Sequence, residues 1–176
     1  MDEHSAESSQ QGETFGHGGD EHAATAAVLA SLSPEWLSLH AVRWPRFSDA
    51  TIDHITVGPG GVFVITSKSW AGRASLAAGI LKVPGHARAS CAEAAAMAAR
   101  QIASIVPAYV NIHTWAAVCF SRDEPLAGRL GNTFVCSTQT LPSMLGGRDV
   151  VLSPAEVRHV HQHLTDALMG GLSAAM

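Results

Sequence analysis

Asp53 and Lys68 stand on two β-branched segments, Thr51 to Val57 and Val62 to Lys68, joined by Gly58-Pro59-Gly60-Gly61. Side chains alternate along a strand, so Val62, Val64, Thr66 and Lys68 share one face, and Phe63, Ile65 and Ser67 take the other. If the two segments pair antiparallel, Asp53 lies at a comparable distance from the turn and its carboxylate reaches the same spot as Lys68. An acid and an ammonium group in one pocket suit phosphodiester hydrolysis. Carboxylates there hold Mg²⁺ or Mn²⁺ against the phosphate, while a lysine orients the attacking water and offsets charge in the transition state. Thr66 occupies the position at which such a site carries its second acid, and it offers only a neutral oxygen. The bland alternative is a surface hairpin with one Asp and one Lys, a common juxtaposition.

Other residues invite chemistry less strongly. His159 and His163 are one helical turn apart and would chelate a metal together, with His161 pointing elsewhere, but exposed helix histidines account for the same pattern. His54 follows Asp53 and by alternation faces the opposite side of the sheet, either as a base or phosphate contact or as a packed histidine fixed by a hydrogen bond. Trp70 and Arg73 after the Lys68 strand pair an aromatic ring with a cation, as stacking on a base and contact with a phosphate require. Arg43 and Arg46 flank Trp44 in the same way. The Gly58 to Gly61 link is a turn and not a phosphate-cradling loop, because it joins two strands and no Lys-Ser/Thr follows it. Pro and Gly stand in it where a type II turn places them. No G-x-S-x-G motif is present, and Cys91, Cys119 and Cys136 form no CxxC pair, which sets covalent catalysis and a disulfide framework aside.

The elements that must position these residues follow from punctuation and periodicity. A helical pattern begins at Asp20, whose carboxylate and that of Glu21 suit the positive end of the helix dipole, and Ser33-Pro34 stops it. Leu37 to Trp44 is a first strand. Ala74 to Leu76 and Ile80 to Val83 make a short hairpin, and an alanine-rich helix runs from about Ser90 to Val106 before Pro107. Trp115 to Phe120 and Thr133 to Cys136 are apolar runs of buried-strand type, separated by a polar loop, Ser121 to Asn132. Ser153-Pro154-Ala155-Glu156 is a capping box that opens a last helix with Val157, Val160, Leu164 and Leu168 on one face. This order describes an α/β layered domain around a mixed sheet.

The segment Ile52 to Gly72, IDHITVGPGGVFVITSKSWAG, resembles the core of the nuclease-related domain (NERD) family, a branch of the restriction-endonuclease-like PD-(D/E)XK superfamily. Ile52-Asp53-His54, Gly58 to Gly61, Val62 to Ile65, Lys68, Trp70 and Gly72 match its pattern in order and spacing. Gly16-His17-Gly18-Gly19-Asp20-Glu21 is similar to the family's entry into its first helix, and the resemblance carries the helical acid over to Glu21. It implies a restriction-endonuclease-like sheet flanked by helices, Asp53 as metal ligand, Lys68 as catalytic lysine, Glu21 as auxiliary acid, Mg²⁺ or Mn²⁺ as cofactor and DNA, rather than RNA, as substrate. Thr66-Ser67-Lys68 departs from the family's acid-x-Lys triplet and weakens the hold on a metal, leaving Thr66 as a substituted ligand position. Glu21 is the first replacement for the missing acid and Glu93 the second. The alternative is a catalytically inactive module of the same fold that binds nucleic acid or a protein. A complex in which a partner contributes the active acids is a third arrangement, and the partners left open are another protein or further copies of the chain.

Composition fixes the frame. With 176 residues, 47% of them hydrophobic, the chain forms one domain with a substantial core. Residues 1–19 form a disordered acidic tail, 20–169 the domain and 170–176 a flexible C-terminal tail. The longest apolar runs fall short of the roughly 20 residues of a membrane-spanning helix, and the N-terminus has no signal-peptide pattern, so the expected location is the cytoplasm, away from membranes. Six of the fifteen acids precede residue 22, where no base occurs; the remainder carries 11 − 9 = +2. That balance permits contact with nucleic acid without demanding it.

Overall fold

In chain order the elements are α1 (Gly18–Ala30), β1 (Leu37–Arg43), β2 (Thr51–Gly58), β3 (Gly61–Lys68), β4 (Ser75–Ala77), β5 (Ile80–Lys82), α2 (Ala89–Ala103), β6 (Thr114–Phe120), β7 (Ala127–Leu130), β8 (Thr133–Ser137), α3 (Leu141–Gly146) and α4 (Pro154–Met169). The computed structural model describes residues 18–44, 50–69, 75–77, 80–82 and 89–170. Trp70, Arg73 and Arg46, singled out above as nucleic-acid contacts, lie outside the described residues, as do residues 1–17 and 171–176. Gly18 and Gly19, assigned above to the disordered tail, are the first residues of α1.

Six strands form one mixed sheet in the order β1-β2-β3-β6-β8-β7, and β4 and β5 pair separately. β1, β2 and β3 are antiparallel neighbours, whereas β3, β6 and β8 run parallel. The parallel strands are buried on both faces, which is why Val62 to Ile65, Ala116 to Phe120 and Thr133 to Cys136 are continuous apolar runs. α2 and α4 cover one face, with Ala95, Ile102, Val160 and Leu164 packed on Ile55, Val64 and Val118. α1 and α3 cover the other, where Leu29, Leu141 and Leu145 meet Phe63, Ile65 and Phe134. The result is the expected nuclease-like α/β architecture, a mixed sheet flanked by helices.

Two elements were hidden from pattern reading. β7 falls inside the segment expected to be loop, because Ala127-Gly128-Arg129-Leu130 is short and lacks β-branched residues. α3 is a six-residue helix with Pro near its start, too short to show periodicity. The Gly58 to Gly61 turn also differs from expectation: the positive φ, 114°, falls on Gly61, one residue beyond where a type II turn requires it. A Cβ on Gly61 would run into the carbonyl of His113, so glycine is required there for space as well as for backbone conformation.

Candidate functional site

The antiparallel ladder between β2 and β3 starts at Gly58 and Gly61 and ends at His54 and Ile65. Beyond that point Asp53 replaces the backbone: its Oδ2 accepts the Ser67 N–H at 2.8 Å. The cause is a matched irregularity in β1 and β2. Leu39 and Val42 both belong to the core beneath α2 and α4, as do Ile52 and Ile55, and each pair is spaced by three residues where alternation demands an even number. Ala41, between His40 and Val42, takes a left-handed backbone with φ 50°. Both strands shift together, so His40 still pairs with His54 and Val42 with Ile52.

This shift decides where the acid goes. Strict alternation sends Asp53 to the face of Thr66 and Lys68 and His54 to the other. In the structure Asp53 and His54 line one cavity of about 330 Å³ under α1, with His22 and His40. His22 Nδ1 lies 3.6 Å from Asp53 Oδ1, and its Nε2 lies 4.0 Å from Glu21 Oε1. The ring of His22 therefore stands between the two carboxylates, both of them largely covered, at 15% and 14% side-chain exposure. Lys68 is half-buried and makes no ion pair with Asp53 or any other described acid. Its charge is felt at Cys91 on α2, where burial raises the thiol pKa and the ammonium opposes the rise. Thr66 is half-buried beside Val118 of β6. Glu93 is exposed on α2.

A second polar chain runs beneath this cavity. His40 Nδ1 and His54 Nδ1 are 2.7 Å apart, His54 Nε2 lies 3.0 Å from Ser67 Oγ, and Ser67 Oγ donates to Thr25 Oγ1 at 2.9 Å. With the Ser67 proton given to Thr25, neutral His54 donates Nε2–H to Ser67 and accepts the Nδ1–H of His40; this tautomer is assigned from the network. His54, Ser67 and Thr25 are almost wholly buried. Burial, with the positive charges that His40 and His22 carry when protonated, pushes the pKa of His54 down to about 4, and burial lowers His40 as well. His54 is thus the packed, hydrogen-bonded histidine of the two roles open to it. His22, His40, Ser67 and Thr25 carried no sequence motif; the only signal was a serine among the apolar residues of one strand face.

Divalent cations such as Mg²⁺ take a set of oxygen ligands around one point. Among the described residues no group of three or more His, Cys, Asp or Glu side chains is placed to hold an ion. One Asp53 oxygen is occupied by the Ser67 amide, Glu21 is separated from Asp53 by an imidazole, and Thr66 adds only a hydroxyl. The donor set does not fit the expected metal. The helix histidines make no site either, since His163 Nε2 bonds the Ile105 carbonyl at 2.8 Å. Cys119 and Cys136 are buried side by side on adjacent strands.

The family model of the nuclease-related domain matches residues 16–119, more than half of the 176. The chain belongs to the nuclease-related domain family. The match runs from before α1 into β6, and so spans Glu21, Asp53, Thr66 and Lys68. No curated protein and no solved structure gives a significant match. Among the described residues, no helix is long and apolar enough to cross a membrane.

Proposed function

We propose that this member of the nuclease-related family binds nucleic acid, DNA in preference to RNA, without metal-dependent cleavage. The observation that carries this reading is the state of Asp53, whose carboxylate substitutes for a backbone partner at Ser67 and faces His22, with Thr66 where a second acid is needed. Lys68 at the end of β3 makes no ion pair with a described acid and so is open to a phosphate, and the chain from residue 22 onward is mildly basic. A second reading, slow hydrolysis with Glu21 in place of the lost acid, draws on the position of Glu21 across His22 from Asp53.

Nicking of supercoiled plasmid in Mg²⁺ and in Mn²⁺, run alongside duplex binding by fluorescence anisotropy, separates the two. The expected outcome is no cleavage by the native chain and salt-sensitive binding that weakens in Lys68→Ala. Because Thr66 shares the face of Val64 and Asp53 turns to the cavity under α1, Thr66→Asp alone is expected to leave Mg²⁺ binding measured by calorimetry unchanged. Cleavage by the native chain that disappears in Asp53→Asn, Glu21→Gln and Lys68→Ala would establish the second reading and overturn the first.

A further inference from the structure

Phe134 of β8 carries two cations on one ring. It pairs across the ladder with Arg129 of β7, whose guanidinium carbon lies 4.6 Å from the ring centre, and the guanidinium carbon of Arg148 lies over the same ring at 5.1 Å. The ring belongs to the core beneath α1 and α3, so both arginines stand on that face of the sheet. Trp115 meets Phe134 edge-on at 6.0 Å between ring centres, and His113 lies 6.4 Å from Trp115. Two cations and three rings thus make one contiguous surface. Lys68 stands on the other face, because it follows Val64 by alternation to the side of α2.

Gly60 holds this surface from behind. The Arg148 stem packs so closely over it that a Cβ there would come within 2.7 Å of the Arg148 Cβ, and the Gly60 carbonyl accepts the Trp115 Nε1–H at 3.2 Å. Arg148 Nε is buried without a hydrogen-bond partner. Arg129 is exposed, and Arg148, Trp115 and His113 are half-buried, so part of each remains open to solvent. Neither guanidinium forms an ion pair with a described acid, and Asp149, next along the chain, is exposed and equally unpaired. One guanidinium over a ring is ordinary cation–π packing. A second on the same ring gathers like charge, an arrangement that favours an incoming anion.

We propose that this face holds an unpaired nucleic-acid strand, with Arg129 and Arg148 on neighbouring phosphates and the open parts of Trp115 and His113 against its bases. Guanidinium planes beside aromatic rings suit a single strand, because an unpaired base offers its flat face and a duplex does not. The inference rests on the nucleic-acid reading above and adds to it a second contact surface and the state of the strand.

Anisotropy with a labelled single strand, and with the duplex of the same sequence, is measured over a salt series for the native chain, Arg129→Gln/Arg148→Gln, Arg129→Lys, Lys68→Ala and Arg158→Gln. Glutamine keeps most of each apolar stem on Phe134 and Gly60, and thermal unfolding confirms that the double variant is folded. Arg158, exposed on α4, controls for loss of charge alone. Removing charge-assisted contacts costs roughly tenfold or more in affinity, so the double variant is expected to lose at least that on the single strand and less on the duplex. Its log-log salt slope should fall by about 0.7 per lost contact. Arg129→Lys should show part of the loss and Arg158→Gln almost none. This pattern upholds the surface whether or not Lys68→Ala weakens binding. Full single-strand affinity in the folded double variant, with binding weakened in Lys68→Ala, overturns this inference and leaves the nucleic-acid reading standing. No binding of either probe by the native chain overturns both. Losses as large in Arg158→Gln as in the double variant, or as large on the duplex as on the single strand, also overturn it.

Discussion

Asp53 shows how one residue escapes a rule that otherwise holds. The identity of the candidate residues was readable because Asp, Lys and the Gly-Pro-Gly-Gly link are distinctive in type and spacing. Their grouping was not, because it depends on the left-handed Ala41 one strand away and on the shared loss of alternation in β1 and β2. The same shift places His54 in a buried chain with His40 and Ser67, near His22 and Asp53, and this has a pH consequence. His54 has a folded pKa of about 4 against 6.5 for the free side chain. Below pH 6.5 the unfolded chain takes up a proton that the folded chain refuses, so this contribution to stability is intact above pH 6.5 and falls until pH reaches about 4. The full loss is about 3 kcal/mol. His40, lowered in the same direction, adds to the trend. Urea midpoints of the native chain should fall from pH 7.5 to pH 5, and His54→Gln should flatten that slope; an equal slope in both would remove His54 as its source.

At the scale of elements, punctuation carried most of the information. Ser153 accepts the Glu156 N–H while the Glu156 side chain accepts the Ser153 N–H, the reciprocal cap legible in Ser-Pro-Ala-Glu. Hydrogen bonds to Ser153 lower the Glu156 pKa. Ser153→Ala should cost about 1 kcal/mol, read as a lower urea midpoint with an unchanged slope. The long β2, β3 and β6 strands declared themselves through β-branched and apolar runs, whereas β7 depends on pairing with β8 rather than on its own propensity, so nothing local marked it. Gly61 shows the same division between composition and geometry. A glycine-rich turn was evident, but which glycine needs the positive φ depends on how close His113 comes.

For the whole molecule, the separation of charge along the chain matters more than its sum. Residues 1–17 contain Asp2, Glu3, Glu7 and Glu13 and no Lys or Arg, so removing them changes the formal charge from −4 to 0. If the domain engages a polyanion, the truncated chain should bind duplex DNA more tightly at low salt, with the difference shrinking as ionic strength rises past the roughly 10 Å screening length at 0.1 M. Equal affinities at low salt would mean that those acids do not compete with the nucleic acid. The layered architecture was legible from the order of strands and helices.

β1 is also an outermost strand of the sheet. A straight, regular rim of unpaired amides and carbonyls invites another chain to add on and start an aggregate. The left-handed step at Ala41 interrupts that rim, so the distortion that moves Asp53 also guards the protein against runaway self-association.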